Sequence, residues 1–431
     1  MRRPVATTLV VIVSWLPAAP RVIDQRGGPE QEVLTAVAHV RVPSNVFRAT
    51  RDAYIWLPAG EVVTATRYPV LVFPDAEEKG QFRAALGNIQ YLINRQLIPP
   101  LIVVGVPYFA NRAHELTPRA TGNTARGNPD AGGADESLRF IADELLPWVE
   151  ARYPTVPTRI LVGHSLGALF ALHAMVTRPQ LFRVVIALST PLWWNDGSLS
   201  REWAARIAAD TIHPRTLFLA SGGLEPDFDA STTAFATRLT ALLDSVHAKS
   251  LRFERRRYPR DAHEMTPLPG LVDGLRMAFE PLVVPIDSVA GALAGRQSRD
   301  SAEIRAIATG LESRYAEAAR SLGVPARFPE TPLNFLGAYA LDSKHPGLAA
   351  ALLRENRDRY PQSSIAHESL GEALTALGDT TEAVRELRAA LAIAKDTLQT
   401  TTSIISRTRE RRVTAAALEQ LRALHRSPPS P

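Results

Sequence analysis

The sequence predicts an α/β domain built on a mostly parallel sheet of eight strands, followed by an all-α domain of repeated helix pairs. Three observations predict it. Short β-branched and aliphatic runs alternate with amphipathic stretches of helical length through the middle of the chain. Most of the later runs are apolar almost throughout, as strands buried on both faces of a parallel sheet must be. Beyond residue 300 the strand-like runs stop and a 34-residue period takes over.

Composition narrows the classes. At 431 residues the chain is long enough for about two domains. Hydrophobic residues at 45% and charged residues at 22% exclude a disordered, collagen-like or purely coiled-coil protein. The net charge of +5 is a small basic excess spread along the chain, which fits a solvated surface and argues against a nucleic-acid partner. With no cysteine, cysteine nucleophiles, thiolate metal sites and disulfides are excluded. No phosphate loop, metal-ligand cluster or dinucleotide fingerprint occurs, so neither cofactor nor metal is expected.

Residues 1–20 have the layout of a signal peptide. Arg2 and Arg3 precede a mostly apolar run from Val5 to Leu16, and small Ala18 and Ala19 follow. The run is too short to span a bilayer comfortably, and no later stretch is long and apolar enough to cross one. A periplasmic or secreted protein is therefore expected. The α/β domain is expected over residues 30–284. Its strands fall over 34–42, 53–57, 69–73, 101–106, 159–162, 184–188, 216–220 and 251–258. Helices are expected over 82–95, 134–151, 165–177, 230–247 and 264–279. The two earliest strands have no helix between them and predict an antiparallel edge. Eight strands in this order suit an α/β-hydrolase fold.

The chemistry centres on one turn. The strand over 159–162 runs into Gly163-His164-Ser165-Leu166-Gly167 and then into a helix. Gly-x-Ser-x-Gly in a strand–turn–helix context presents a serine Oγ at the carboxyl end of the sheet, beside a helix N-terminus that favours developing negative charge. A base is expected after the last strand, and His263 stands there, while His164 fills the turn itself. The acid is expected after the strand over 216–220. Glu225 is the first choice, with Asp227 and then Asp229 behind it, and its role would be to orient the imidazole and stabilise the imidazolium. Leu166 and, on spacing, Ala76 are the expected backbone donors to an oxyanion. Trp193 and Trp194, following the strand over 184–188, are expected to line a substrate pocket or, as neighbours of Pro191, to pack a loop.

These residues sit in a wider pattern. Tyr68-Pro69-Val70-Leu71 with Asp75, Asn111-Arg112 with Leu116-Thr117-Pro118, and Gly132-Gly133-Ala134-Asp135 come first. Leu146-Pro147, Arg152-Tyr153-Pro154, the serine turn, Leu192-Trp193-Trp194 and His263 follow. In this order they resemble the putative-esterase family of α/β-hydrolases, which includes enterobactin-type siderophore esterases, esterase D and the mycolyltransferases. The resemblance covers roughly residues 40–285. It implies a serine carboxylic-ester hydrolase acting through an acyl-enzyme on a small-molecule ester, with Arg112 among the substrate-binding residues. Ala76 and Ala168 depart from the family, where many members carry glycine, but neither removes a backbone donor.

Residues 285–300 mix Pro, Gly, Ser and Ala and are expected to link the domains; the helical domain follows over 301–425. There Leu336-Gly337, Ala349 and Leu353 recur as Leu370-Gly371, Ala383 and Leu387, 34 residues on. This spacing is tetratricopeptide-like, and such repeats offer a surface for a protein partner. Ile404, Ala417 and Leu421 continue the register as a decayed third unit or a cap. Two other functions share the same residues: an acyltransferase using the same serine, and a relic hydrolase domain carried by a repeat-based interaction protein. The intact Ser165 and His263 favour the hydrolase over the relic.

Overall fold

The structure, a computed structural model, describes residues 37–58, 67–77, 80–246, 250–286, 288–290, 301–400 and 404–426. The expected signal segment, residues 34–36 of the first expected strand and residues 291–300 of the expected linker lie outside the described residues.

Buried apolar runs make the centre of the sheet. Every residue of β3 (Tyr68–Pro74), β4 (Ile102–Val106), β6 (Val184–Leu188) and β7 (Arg215–Gly222) is buried. With β5 (Thr155–His164) and β8 (Leu251–Tyr258) they run parallel. The earliest strands, β1 (Val37–Ser44) and β2 (Ala49–Trp56), are paired antiparallel at one edge, and β2 is antiparallel to β4. The full order is β1-β2-β4-β3-β5-β6-β7-β8. The far edge, β8, carries Arg252, Arg255, Arg256 and Arg257, and such a row of charge discourages pairing with another chain.

Helices cover both faces. On one face α1 (Gln81–Asn94) and α9 (Pro267–Phe279) pack on the sheet through Leu86, Ile89, Leu271 and Leu275. On the other lie α6 (Leu166–Thr177), α7 (Ser198–Ala209) and α8 (Pro226–Val246). The same face carries the region expected as one helix over 134–151. It is built as α4 (Ala134–Arg139), a π-helical segment Phe140–Leu145, and α5 (Leu146–Glu150). Pro147 accounts for the break: it has no N–H for the carbonyl four residues back, and its ring crowds that carbonyl, so the preceding turn widens. The structure adds α2 (Arg112–Leu116), α3 (Gly122–Gly127) and α7, which the alternation does not predict.

The C-terminal region is all helical: α10 (Ser301–Leu322), α11 (Thr331–Asp342), α12 (Pro346–Arg359), α13 (Ser364–Leu377), α14 (Thr380–Thr400) and α15 (Ile404–Arg426). The 34-residue period is a packing period. A Cβ on Gly337 would overlap Leu353, and a Cβ on Gly371 would overlap Leu387. Each glycine lets the first helix of a pair close on a leucine of the second. The third set of repeat positions falls on the single helix α15, which packs on α13 and α14, so it forms a cap and not a third pair. The stretch expected as a linker is partly helical, and Ala290 is buried in the C-terminal core.

The tail docks on the amino end of the sheet. Ala319 and Leu322 of α10 join the same apolar layer as Phe279 and Leu282. Thr158 Oγ1, near the start of β5, lies 2.7 Å from the carbonyls of both Leu322 and Gly323. Ser165 stands seven positions beyond Thr158, roughly 20 Å of extended chain. The carboxyl end of β5, where the serine turn opens, therefore lies at the opposite end from this anchor. Among the described residues no helix is long and apolar enough to cross a membrane.

Candidate active site

The turn after β5 holds Ser165 at φ 57° and ψ −122°, a conformation that L-residues rarely adopt. Two close approaches enforce it. A Cβ on Gly163 would overlap the Gly167 carbonyl, and one on Gly167 would come within 3.0 Å of Asp75 Oδ2. Ser165 N–H donates to the Leu188 carbonyl at 2.9 Å, which ties the turn to the end of β6. The Ser165 carbonyl accepts from Ala168 and Leu169, so α6 starts immediately after it. Leu166 is the first residue of α6, where backbone N–H groups have no acceptor within the helix.

Three elements bring the remaining groups together. Glu225 stands between β7 and α8, and His263 lies in the turn between β8 and α9. His263 Nδ1 is 2.7 Å from Glu225 Oε2. The other oxygen, Oε1, accepts from Ser189 Oγ at 2.6 Å, from Thr266 Oγ1 at 3.2 Å and from Gly222 N–H. Burial by itself would raise the Glu225 carboxyl. The hydrogen bonds from His263, Ser189 and Gly222 outweigh it and hold the group below the usual carboxylate range. Asp227 is exposed. Asp229 is committed elsewhere, to Ser221 Oγ at 2.7 Å, Arg255 Nη2 at 2.6 Å and Arg257 Nε at 2.7 Å.

The two tryptophans diverge. Trp193 is 42% exposed and meets Phe228 edge-on at 4.6 Å, and the Phe228 ring lies 4.2 Å from His263. Trp194 is buried with the core of the α6–α8 face, so it packs the domain and does not line a pocket. Arg112 was expected at the substrate; its Nε and Nη2 instead lie 2.6 and 2.8 Å from the two oxygens of Asp75. Ala76, expected as an oxyanion donor, directs its N–H to the Val106 carbonyl in a long bond of 3.5 Å. Asp75 at φ 62° turns the loop and aims this N–H at β4. The neighbouring Glu77 carboxyl accepts from Tyr108 N–H at 2.9 Å. Burial, helped by the charges of Asp75 and Glu115, pushes it up to about 7.

Sequence reasoning passed over Ser189, Thr266 and Phe228, which reach the site only through the fold. Their one common signal is position, since each lies shortly after a strand's carboxyl end, where ligands gather in such sheets. Exposed Leu224 and Met265 lie on the loops after β7 and β8, exposed Tyr108 and Phe109 follow the carboxyl end of β4, and together they give this end of the sheet an apolar character. A groove of about 430 Å³ runs beside Trp193, with Ser200 and Arg201 of α7 and Ser231 and Arg238 of α8 in its walls.

This region is also where the chain resembles known proteins. The family described as "Putative esterase" matches residues 44–264, just over half of the chain. The siderophore enterobactin esterase of Emericella nidulans is 38% identical over 117 residues, 24% of this chain and 39% of that protein. The ferri-bacillibactin esterase BesA of Bacillus subtilis is 28% identical over 231 residues, 50% of this chain and 80% of that protein. The chain thus spans about two-fifths of the first relative and four-fifths of the second. Among solved structures, an IroE-like serine hydrolase from Shewanella oneidensis superposes with a TM-score of 0.59 at 26% identity, covering 75% of this chain and 100% of that one. Ser165, Glu225 and His263 all lie inside the matched span, on the eight-stranded, mostly parallel sheet that the sequence predicts, and the chain belongs to this esterase family of α/β-hydrolases.

Proposed function

We propose that the protein is a serine carboxylic-ester hydrolase that works through an acyl-enzyme on Ser165. The observation that carries this reading is the 2.7 Å contact between His263 Nδ1 and Glu225 Oε2, on the loops that flank the serine turn. With Nδ1–H donated to the carboxylate, Nε2 is the basic nitrogen. It takes the Ser165 proton as Oγ adds to the ester carbonyl, and the Leu166 N–H at the start of α6 faces the developing oxyanion. When the tetrahedral adduct collapses, the imidazolium protonates the departing alcohol. Water, deprotonated by the same imidazole, then releases the acid and restores Ser165. Ionised Glu225 stabilises the imidazolium formed in both halves.

The names of the relatives support siderophore esters as the substrate class, and the apolar character of this end of the sheet supports bulky acyl or alcohol groups. The layout of residues 1–20 supports action in a periplasm or outside the cell. The test is a panel of p-nitrophenyl esters together with ferric and iron-free siderophore esters. A fluorophosphonate should label Ser165 alone, and S165A should lose about 10⁴–10⁶-fold in kcat. Labelling elsewhere, or full turnover by S165A, overturns the reading.

A further inference from the structure

His164 precedes the serine and does not belong to the line Ser165–His263–Glu225, yet it touches that line twice. Its Nε2 is 3.0 Å from the backbone carbonyl of His263, 99 residues further on. Its ring centroid is 4.4 Å from that of His263, with 42° between the planes. A carbonyl only accepts, so Nε2 carries the proton and Nδ1 is left as an acceptor. Gln81 Nε2, 3.2 Å from Nδ1, supplies the matching donor. Both ring nitrogens of a buried imidazole are thereby satisfied in one tautomer. Burial first, then the nearby charges of His263 and Arg112, lower its pKa to about 3, so it stays neutral wherever an imidazole base can work.

The segment so held needs holding. Residues 259–266 form turns between β8 and α9, without a strand ladder or helix to fix them. Glu225 fixes the His263 ring at Nδ1, but one hydrogen bond leaves the ring free to pivot about it. His164 constrains the backbone from which that ring hangs, and its own ring and Phe228 flank the imidazole, at 4.4 and 4.2 Å.

We propose that His164 is a positioning residue: a neutral imidazole that anchors the His263 backbone through its Nε2–H and limits the His263 ring to orientations that address Ser165. The proposal rests on the reading of His263 as the base. Displacing that base by a fraction of an ångström lowers turnover without altering how the ester is bound.

Two substitutions separate the donor from the ring. H164F keeps a stacking ring and removes the N–H; H164Q supplies an N–H near the position of Nε2 and removes the ring. Turnover of p-nitrophenyl acetate should fall about 10–100-fold in H164F with KM changed less than about threefold, and H164Q should recover about tenfold of that loss. Circular dichroism melts of both establish that they fold. Should H164F fail to fold, Q81L, at the first residue of α1, releases Nδ1 from its partner and should lower kcat severalfold at constant KM. Wild-type kcat in H164F (or in Q81L where H164F does not fold), or equal losses in H164F and H164Q, overturns the proposal. H263A is the separate control: its full activity removes the reading of the base, whereas an inactive H263A beside a fully active H164F overturns the positioning role alone.

Discussion

Arg112 closes a two-point ion pair on Asp75, Nε to Oδ1 at 2.6 Å and Nη2 to Oδ2 at 2.8 Å. Asp75 is almost wholly buried, has a positive φ, and its carboxylate lies against Gly167 at the start of α6. The pair therefore joins the loop after β3 to the back of the serine turn. The backbone just before Arg112 is held by Glu115, whose carboxylate accepts the N–H groups of Phe109 and Ala110 and pairs with buried Arg51 at 2.6 Å. A guanidinium has the planar fork that such a two-point contact requires, and an ammonium does not.

R112K should consequently be more than a conservative exchange. It keeps the charge and loses one of the two hydrogen bonds, for a cost of about 1–3 kcal/mol in unfolding free energy. If the loop shapes the site, kcat/KM also falls by about tenfold or more. Urea unfolding and p-nitrophenyl acetate kinetics on one preparation read both. Wild-type values in the two measurements would show that the pair has no positioning role.

The three carboxylates after β7 should behave differently. E225Q removes the ionised partner of His263 and should lower kcat about 10²–10⁴-fold. D227N alters an exposed side chain and should leave kcat within about twofold. D229N removes the negative charge that faces Arg255 and Arg257 and one of the two acceptor oxygens, so it should lower the melting temperature more than the turnover. A larger kcat loss in D227N than in E225Q contradicts the assignment.

His164 should make stability depend on pH. Its pKa is about 3 in the folded protein against the ordinary 6.5, so between these values the unfolded chain binds a proton that the native state does not. Native stability therefore declines as pH falls through this window. At pH 4.5 the contribution is about 2–3 kcal/mol relative to pH 7. Removing the imidazole removes it. The stability difference between wild type and H164F should accordingly shift by about that amount, in favour of the variant, between pH 7 and pH 4.5. A difference independent of pH would mean that His164 is protonated as readily in the native state as in the unfolded chain.

G371A tests the helix pairs. A Cβ there would come within 2.7 Å of Leu387 Cδ2 and Cγ, so the two helices must move apart or the leucine must leave its rotamer, at about 1–3 kcal/mol. On a solvent-facing helix the same change would stabilise by removing a glycine. A lower melting temperature with unchanged fluorophosphonate labelling of Ser165 is the expected result, because the tail docks at the amino end of the sheet. A raised melting temperature would mean that the helices of the pair do not close on each other at Gly371.

Much of this molecule is written locally in its sequence. Buried strands betray themselves by contiguous apolar runs, which is why β6 is found with its observed limits. The serine turn is legible because its glycines and serine must be neighbours, and His263 because it stands in the short turn after the last strand. Gly337 and Gly371 are legible because repeated packing repeats its residues. The remainder depends on distances between segments far apart in the chain. Three acids follow β7, and only the path of the loop into α8 brings Glu225, not Asp227 or Asp229, to His263. Adjacent Trp193 and Trp194 part company because one faces the site and the other the core. Arg112 meets Asp75, Ala76 turns to Val106, and α10 settles beside Thr158 for the same reason. Periodicity tells which face of an element is buried, but loop paths and sheet twist decide which side chains then come within hydrogen-bonding reach, and that is a property of the whole fold.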